Sequence, residues 1–287
     1  MGLSFLEAKA NVGFNEAKYI ILPLPYDATA SWGAGARFGP ERILLASKEL
    51  ELFDEELLTE PFKAGIHTLP SLDIPIPPKD AYIKIEKTVH KIISSSKMPI
   101  SLGGDHSVSF GAIKAIKKKY NNLSVLQLDA HTDLRESYQG TSLSHACIIR
   151  NIWDFCQVVQ AGIRSVSKAE WQFLKAHGLE PIWARDIHDD LNHSIKKIIS
   201  NIENSQLYIT IDVDCLDPSI MPATGTPEPG GLNWLELISI LKEVCKNFEI
   251  VGFDVVELSP IPSFHHPEFT VARLIYKLIG YIEAFKN

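Results

Sequence analysis

Aspartate and histidine residues cluster where three apolar stretches of the chain end. The stretches are SLGGDHS, SVLQLDAHTD and YITIDVD. Alternate side chains of an extended chain point the same way, so the D-x-H-x-D and D-x-D spacings direct these groups to one side. Carboxylates gathered at a buried strand end repel one another and lose hydration unless a cation neutralises them. The pattern predicts a metal site with the ligands His106, Asp129, His131, Asp133, Asp212 and Asp214.

The ligand types indicate two ions and favour manganese. Four carboxylates and two imidazoles exceed what one ion needs beside its water, as in hydrolytic sites that hold two metals. Oxygen-rich ligation with imidazole and no thiolate favours Mn²⁺, although affinity order alone leaves Fe, Co and Zn open. Taken singly, a D-x-D at a strand end is typical of turns, and a lone histidine is typical of structural roles. We expect Asp105 to hold its neighbour His106 through the second ring nitrogen.

The segments that must position these residues alternate between short β-type runs and longer amphipathic patterns. Strands are expected near 18–23, 98–102, 123–129, 157–162, 206–213 and 249–255, and helices near 40–49, 80–95, 107–119, 167–177, 190–203, 233–247 and 267–285. This order predicts an α/β fold, with a parallel sheet covered by helices on both faces. Ligands of such sheets bind beyond the carboxyl ends of the strands, where the acids and histidines lie. With no repeat or clear linker, residues 1–287 are expected to form a single domain.

Composition disfavours several functional classes. With 28 Lys and Arg against 35 Asp and Glu, the formal charge is −7, which disfavours binding to nucleic acid or to an anionic membrane surface. No apolar stretch is long enough to span a bilayer, and the first residues lack the pattern of a signal peptide. Four cysteines without a CxxC pair suit a reducing compartment, so we expect a cytoplasmic protein with buried thiols.

Six motifs together resemble those of the ureohydrolase family, which includes arginases, agmatinases and formimidoylglutamases. They are GARFGPERI (35–43), GGDHS (103–107), LDAHTDLR (128–135), SHA (144–146), DVDCLDPSIMPATGTPEPGG (212–231) and DVVELSP (254–260). The resemblance implies a three-layer α/β/α sandwich of the arginase/deacetylase-like type, with a mainly parallel eight-stranded sheet. It also implies a binuclear Mn²⁺ centre, hydrolysis of a guanidino or amidino substrate, and a homotrimer or homohexamer.

The same resemblance divides the six ligands between the two ions. One ion would be bound by His106, Asp129, Asp133 and Asp212, and the other by Asp129, His131, Asp212 and Asp214. Metals lower the pKa of bound water from about 15.7 towards roughly 7, so a bridging hydroxide is the expected nucleophile. Asp217, in the same segment, is instead interpreted as holding the turn ahead of Pro218.

Four residues are assigned catalytic or positioning roles by the resemblance. Glu257 matches the acid that binds the guanidinium group, with a strand-end salt bridge as the alternative. His145 matches the histidine that passes a proton to the departing amine, with a structural histidine as the alternative. Asp133 is expected to accept the hydroxide's proton as well as to bind metal. Thr226 is expected to position substrate, although a conformational role in its Gly- and Pro-rich turn fits nearly as well.

The loop after LDAHTD bears on the substrate. It continues with Leu134, Arg135 and Glu136 where arginases carry an Asn, which disfavours arginase. Arg135 could pair with a glutamate carboxylate, as in formimidoylglutamases, but those enzymes typically lack the histidine that His145 supplies. The SHA motif favours a small cationic guanidino substrate, agmatine first and N1-aminopropylagmatine second. Glu136 would be a partner for the distal ammonium, with a solvated loop residue as the alternative. A binuclear phosphoesterase and a metal-binding protein without catalysis are the alternatives from other classes.

Overall fold

The computed structural model describes residues 3–7 and 10–286, which form one parallel sheet and its flanking helices. The strands are β1 (Tyr19–Leu24), β2 (Ile66–Thr68), β3 (Met98–Gly103), β4 (Leu123–Leu128), β5 (Gln157–Ile163), β6 (Ile182–Trp183), β7 (Gln206–Asp212) and β8 (Glu249–Val256). The α-helices are α1 (Gly39–Ala46), α2 (Pro78–Ser94), α3 (Ser109–Lys119), α4 (Ile148–Trp153), α5 (Lys168–His177), α6 (Ala184–Asp189), α7 (Leu191–Asn201), α8 (Trp234–Asn247) and α9 (His266–Ala284).

The sheet has eight strands within the described residues, in the order β2-β1-β3-β8-β7-β4-β5-β6. Every neighbouring pair is parallel, so the expected α/β fold with an eight-stranded sheet is confirmed. The edge strands β2 and β6 have only 3 and 2 residues, which is why no apolar run revealed them. The pattern expected near 190–203 also proved shorter, because α6 and α7 meet at Asp190.

Two separate cores show that helices cover both faces of the sheet. In β1, Tyr19 and Ile21 belong to one core and Ile20 and Leu22 to the other, because successive side chains of a strand point to opposite faces. The first core includes residues of α7, α8 and α9, and the second includes residues of α2, α3 and α4. The three-layer α/β/α architecture is therefore confirmed.

The strands leave the sheet on the same side, and short turns follow two of them directly. Single turns of 3₁₀ helix follow at His106–Val108 and Val213–Cys215, and a third at His145–Cys147 begins the approach to α4. Gly104 allows two of the loops at this edge to pack closely, since a Cβ there would lie 1.7 Å from the carbonyl oxygen of Tyr26. In the part of the chain that the structure describes, no helix is long and apolar enough to cross a membrane.

Candidate active site

The predicted ligands converge beyond the ends of β3, β4 and β7. Two groups place one ligand atom of each member within 4.8 Å of the others: His106, Asp129 and Asp212, and Asp129, His131 and Asp214. Asp133 joins the first group, with its Oδ2 3.1 Å from Nδ1 of His106. Asp129 is common to both groups, so the arrangement suits two cations that share a ligand.

The backbone that brings the ligands together is not extended. β4 ends at Leu128, and Asp133 has a left-handed φ of 50°. Asp214 lies in the 3₁₀ turn after β7, where its backbone N–H donates to Oδ1 of Asp212 at 2.9 Å. The alternation argument applied to these spacings is therefore wrong, although the residues it selected do meet. Tight turns after the strands, rather than strand pleating, direct the side chains inward.

His106 provides an observation that fits a bound cation. Its Nδ1 is buried and forms no hydrogen bond with any described group, yet oxygens of three aspartates surround it. The distances are 3.2 Å to Asp129, 3.1 Å to Asp133 and 3.5 Å to Asp212. Nε2 lies 2.8 Å from Oγ1 of Thr210, and the hydroxyl of Thr210 donates its proton to Oδ1 of Asp254 at 2.6 Å. His106 must therefore donate from Nε2. Burial lowers the pKa of His106, but Asp129, Asp133 and Asp212 outweigh it and raise this pKa well above its usual range, so without a cation Nδ1 holds a proton that a bound cation would replace.

The hydrogen bond between Nε2 of His106 and Thr210 shows that the role expected for Asp105 is wrong. Its Oδ1 accepts from Ser107 and its Oδ2 from Thr29, so it does not hold the His106 ring. The ring is held by Thr210 and, through it, by buried Asp254, which also accepts from Tyr208 at 2.7 Å. Adjacency in sequence suggested the wrong partner, because only the folded sheet brings β8, and β7 beyond it, to the side of β3.

The electrostatics of the ligand cluster also fit a cation. Burial raises the pKa of Asp212 well above its usual range, and the charges of Asp214 and Asp129 add to the effect. Burial and the charge of Asp129 likewise raise the pKa of Asp133. Burial lowers the pKa of His131, but Asp214 and Asp129 outweigh it and raise it to about 12. Without a cation, these groups hold protons to limit their mutual repulsion, and divalent cations supply the same compensation.

A polar cavity of about 200 Å³ opens onto both ligand groups. Among the residues that line it are Arg135, Tyr138, His145, Thr226, Trp32 and Glu257. Trp32 is 75% exposed at the mouth. Arg135 stacks on Tyr138, with its guanidinium carbon 4.8 Å from the ring centroid. Glu136 is exposed and is not among the lining residues.

Glu257 and His145 reach this cavity from different elements. Glu257 follows β8 with a φ of 65°, and its Oε1 accepts from the backbone N–H of His106 at 2.7 Å. Burial and the nearby Asp105 raise the pKa of Glu257 well above its usual range. His145 begins a 3₁₀ turn, and its Nδ1 lies 3.3 Å from Oγ1 of Thr29 and 3.2 Å from Oγ of Ser144.

Supporting residues of the loops around the cavity were partly predictable. Asp217 accepts hydrogen bonds from Ser219, Gly230 and Gly231, which confirms its role in holding the turn. The capping box of α5 could have been found from Ser167 and Glu170, and Glu170 also accepts from Leu134 N–H at 3.1 Å. Thr29, Trp32, Tyr138 and Thr210 were missed, since isolated Thr or aromatic residues carry no signal of spacing.

The fold and the site together define an α/β/α enzyme with a site suited to two divalent cations beside a small polar cavity. The sequence matches the model of the arginase family over residues 17–280. It is 33% identical over 285 residues to an N(1)-aminopropylagmatine ureohydrolase from Synechocystis sp., covering 96% of this chain and 93% of that one. An agmatinase from Bacillus anthracis is 39% identical over 265 residues, covering 88% and 87%.

A solved structure agrees with these sequence matches. The crystal structure of agmatine ureohydrolase from Thermoplasma volcanium matches with a TM-score of 0.89 and 30% identity, over 97% of this chain and 94% of that one. The chain belongs to the arginase family, as a ureohydrolase that hydrolyses a C–N bond of a linear amidine.

Proposed function

We propose that this enzyme hydrolyses agmatine to putrescine and urea, with two Mn²⁺ ions. The observation that carries the proposal is the position of Glu257, a partly buried carboxylate in the same cavity as both ligand groups and His145. A planar guanidinium makes paired contacts with a carboxylate, and a raised pKa in the free protein falls when a cation binds nearby. Relatives named agmatinase support the choice of substrate.

His106, Asp129, Asp133 and Asp212 would hold one ion, and Asp129, His131, Asp212 and Asp214 the other. The two ligand groups and the contact of Asp133 with His106 support this division, except for the second role of Asp212, which rests on the family resemblance. Bound there, the ions supply activation of water for attack at neutral pH. Manganese is favoured because the donors are carboxylates and imidazoles; the described cysteines, all buried, belong to neither ligand group.

The protein's own groups orient the substrate and move protons. Glu257 holds the guanidinium so that its carbon faces the ligand cluster, and Thr226 lines the cavity beside it. Asp133 accepts the proton released as water adds to that carbon. His145 gives a proton to the alkyl nitrogen as its bond to carbon breaks and the electron pair moves to nitrogen, which releases the amine and urea.

A second candidate substrate is N1-aminopropylagmatine. The Synechocystis relative and another from Thermus thermophilus, 37% identical over 273 residues, both carry this activity in their names. Trp32 is exposed at the cavity mouth, where it would stack against a longer cationic tail. Formimidoylglutamate is ranked lower although Arg135 lines the cavity, because the surrounding acids disfavour an anionic substrate. Arginine, phosphoesters and metal binding without catalysis rank below it.

Steady-state assays with Mn²⁺ test the proposal directly. Urea release is measured from agmatine, aminopropylagmatine and arginine, and formamide release from formimidoylglutamate. We expect the highest kcat/KM with agmatine. A preference for aminopropylagmatine supports the second candidate, and a preference for arginine or formimidoylglutamate overturns the proposal.

Metal content tests the ligand assignment separately. Asp129→Ala and Asp212→Ala each remove a ligand of both ions, so we expect loss of bound Mn²⁺ by elemental analysis together with loss of urea release. Asp154→Ala, which removes an exposed carboxylate after α4, is the matched control. Full metal content in either ligand variant contradicts the assignment.

Three wider expectations complete the proposal. Four buried thiols suit a reducing cytoplasm, where putrescine synthesis would belong to polyamine biosynthesis. A homotrimer or homohexamer remains a prediction, which sedimentation equilibrium decides. Glu136 remains a predicted partner for the distal ammonium, and it would have to act from the exposed loop outside the cavity lining.

A further inference from the structure

A chain of hydrogen bonds connects the buried carboxylate of Asp105 to the ring of His145 through the hydroxyl of Thr29. Oγ1 of Thr29 lies 2.9 Å from Oδ2 of Asp105 and 3.3 Å from Nδ1 of His145. The same oxygen accepts from the backbone N–H of His145 at 3.0 Å. Thr29 is 7% exposed and Asp105 is fully buried, so water does not compete strongly for these contacts.

The direction of the first bond follows from the partners of Asp105. The carboxylate has four donors, the backbone N–H and hydroxyl groups of Thr29 and of Ser107. An ionised carboxylate only accepts hydrogen bonds, and the two backbone N–H groups can only donate. With all four contacts made, the single hydroxyl proton of Thr29 points to Asp105.

The second bond is then fixed in direction as well. A hydroxyl whose proton is already donated offers only lone pairs, so Oγ1 of Thr29 must accept from Nδ1 of His145. If Nδ1 were unprotonated, two lone pairs would face each other at 3.3 Å. Oγ of Ser144 lies 3.2 Å from Nδ1, and its proton is used by no other contact within the described residues, so it is compatible with either tautomer. The contact with Thr29 therefore determines which tautomer His145 adopts.

We propose that Thr29 is a positioning residue that holds neutral His145 in the tautomer with its proton on Nδ1. Nε2 forms no hydrogen bond with the described residues, and it is the ring nitrogen left free as His145 lines the cavity. This inference rests on the shuttle role in the proposed function. The Nε2 lone pair takes up the proton that Asp133 first accepts when water adds, and Nε2 then passes this proton to the departing amine. Each turnover ends with the Nδ1–H tautomer restored.

The test reads the tautomer directly, without turnover. Magic-angle-spinning ¹⁵N NMR of the histidine-labelled enzyme, loaded with diamagnetic Zn²⁺ at alkaline pH, reports which nitrogen is protonated. A His145→Gln spectrum assigns the signal. We expect the wild-type proton on Nδ1, and a shift towards the Nε2–H tautomer in Thr29→Val, where Ser144 becomes the donor. Thr29→Ser keeps the hydroxyl and is expected to keep the wild-type tautomer, as is Ser144→Ala.

Kinetics with Mn²⁺ give an independent readout. A histidine held in the wrong tautomer is a poor shuttle, so we expect kcat of Thr29→Val to fall at least about tenfold with little change in KM, and Thr29→Ser to recover most of it. Wild-type His145 protonated on Nε2, or an unchanged tautomer in Thr29→Val, overturns the proposal. If Thr29→Val does not fold, the wild-type and Thr29→Ser spectra still decide. Absence of guanidine hydrolysis would overturn the proposed function while leaving the tautomer result standing.

Discussion

Asp133 and Glu257 hold their backbones in the left-handed region, with φ of 50° and 65°. For residues with a side chain, such conformations cost roughly 1–3 kcal/mol each and persist only where the surroundings fix them. The carbonyl of Asp133 accepts from Ile149 and Arg150 at the start of α4, and the N–H of Glu257 donates to Gly104. Both strained residues present a carboxylate to the cavity, so the strain serves the site rather than the fold.

Glu257→Gln tests the carboxylate without altering the size of the side chain. A hydrogen bond to a charged group contributes up to about 3 kcal/mol, so its loss should lower kcat/KM for agmatine by roughly 100-fold. Because Glu257 belongs to neither ligand group, bound Mn²⁺ should stay at the wild-type level. An unaltered kcat/KM would remove the proposed guanidinium contact, and loss of metal would instead indicate a structural role.

Residues of β7 and β8 orient the ring of His106, the proposed metal ligand that follows β3. Thr210 of β7 accepts from His106 and donates to Asp254 of β8, so a three-strand contact orients the ring. Groups that orient metal ligands are typically worth 10- to 100-fold in affinity. We therefore expect Thr210→Val to weaken Mn²⁺ binding by about 10- to 100-fold, measured by competition with a chelating dye.

The control for this prediction is another buried threonine. Thr270 of α9 donates to the carbonyl of His266, far along the chain from any ligand. Thr270→Val should lower stability to a similar degree and leave the Mn²⁺ affinity unchanged. Equal affinities in the two valine variants would show that Thr210 does not orient His106.

The turn after β7 yields a pH-dependent prediction. Hydrogen bonds from Ser219, Gly230 and Gly231 lower the pKa of Asp217 to about 2, below the value near 3.9 of an unfolded chain. A lowered pKa in the folded state stabilises the protein above about pH 4, and this contribution is lost as pH falls towards 2. The difference in unfolding free energy between wild type and Asp217→Ala should thus shrink as pH falls from about 5 to about 3.

Chemical denaturation at several pH values measures this difference. Asp73→Ala, which removes an exposed carboxylate in another loop, is the matched control and should show little difference from wild type at any pH. A pH-independent gap between wild type and Asp217→Ala would mean that the turn is held without the charge of Asp217.

Sequence predicted those elements and residues that carry a periodic or repeated signal. The six longer strands, the layered architecture and the convergence of the six ligand residues were all visible in apolar runs that end in acids and histidines. The contacts of Thr210 and Thr29 were not, because each joins segments that are distant in the chain through one hydroxyl. The left-handed φ of Asp133 could not be predicted for a related reason, because hydrogen bonds to residues distant in the chain hold it.

For the whole molecule, the acidic excess is partly concentrated at one place. Of the 35 acidic residues, Asp129, Asp133, Asp212, Asp214 and Glu257 converge on the cavity edge of the sheet. Two divalent cations would change the formal charge from −7 to about −3, and would remove repulsion that the folded chain otherwise limits by holding protons. Metal binding and folding stability should therefore be coupled.

Removal of the metals should accordingly lower the melting temperature. A ligand that binds only the folded state adds about 2.7 kcal/mol at 100 times its Kd, and for a chain of this size each kcal/mol shifts Tm by about 2–4 °C. The Tm measured by calorimetry with Mn²⁺ should thus exceed the Tm measured with EDTA by roughly 5–10 °C for each tightly bound ion. In Asp212→Ala, which lacks a proposed ligand of both ions, the difference in Tm should largely vanish. Its metal-free Tm should equal or exceed that of the metal-free wild type, because one buried carboxylate is gone. A wild-type Tm that does not respond to EDTA would show that the ligand cluster is stable without cations and that its repulsion is relieved by protons alone.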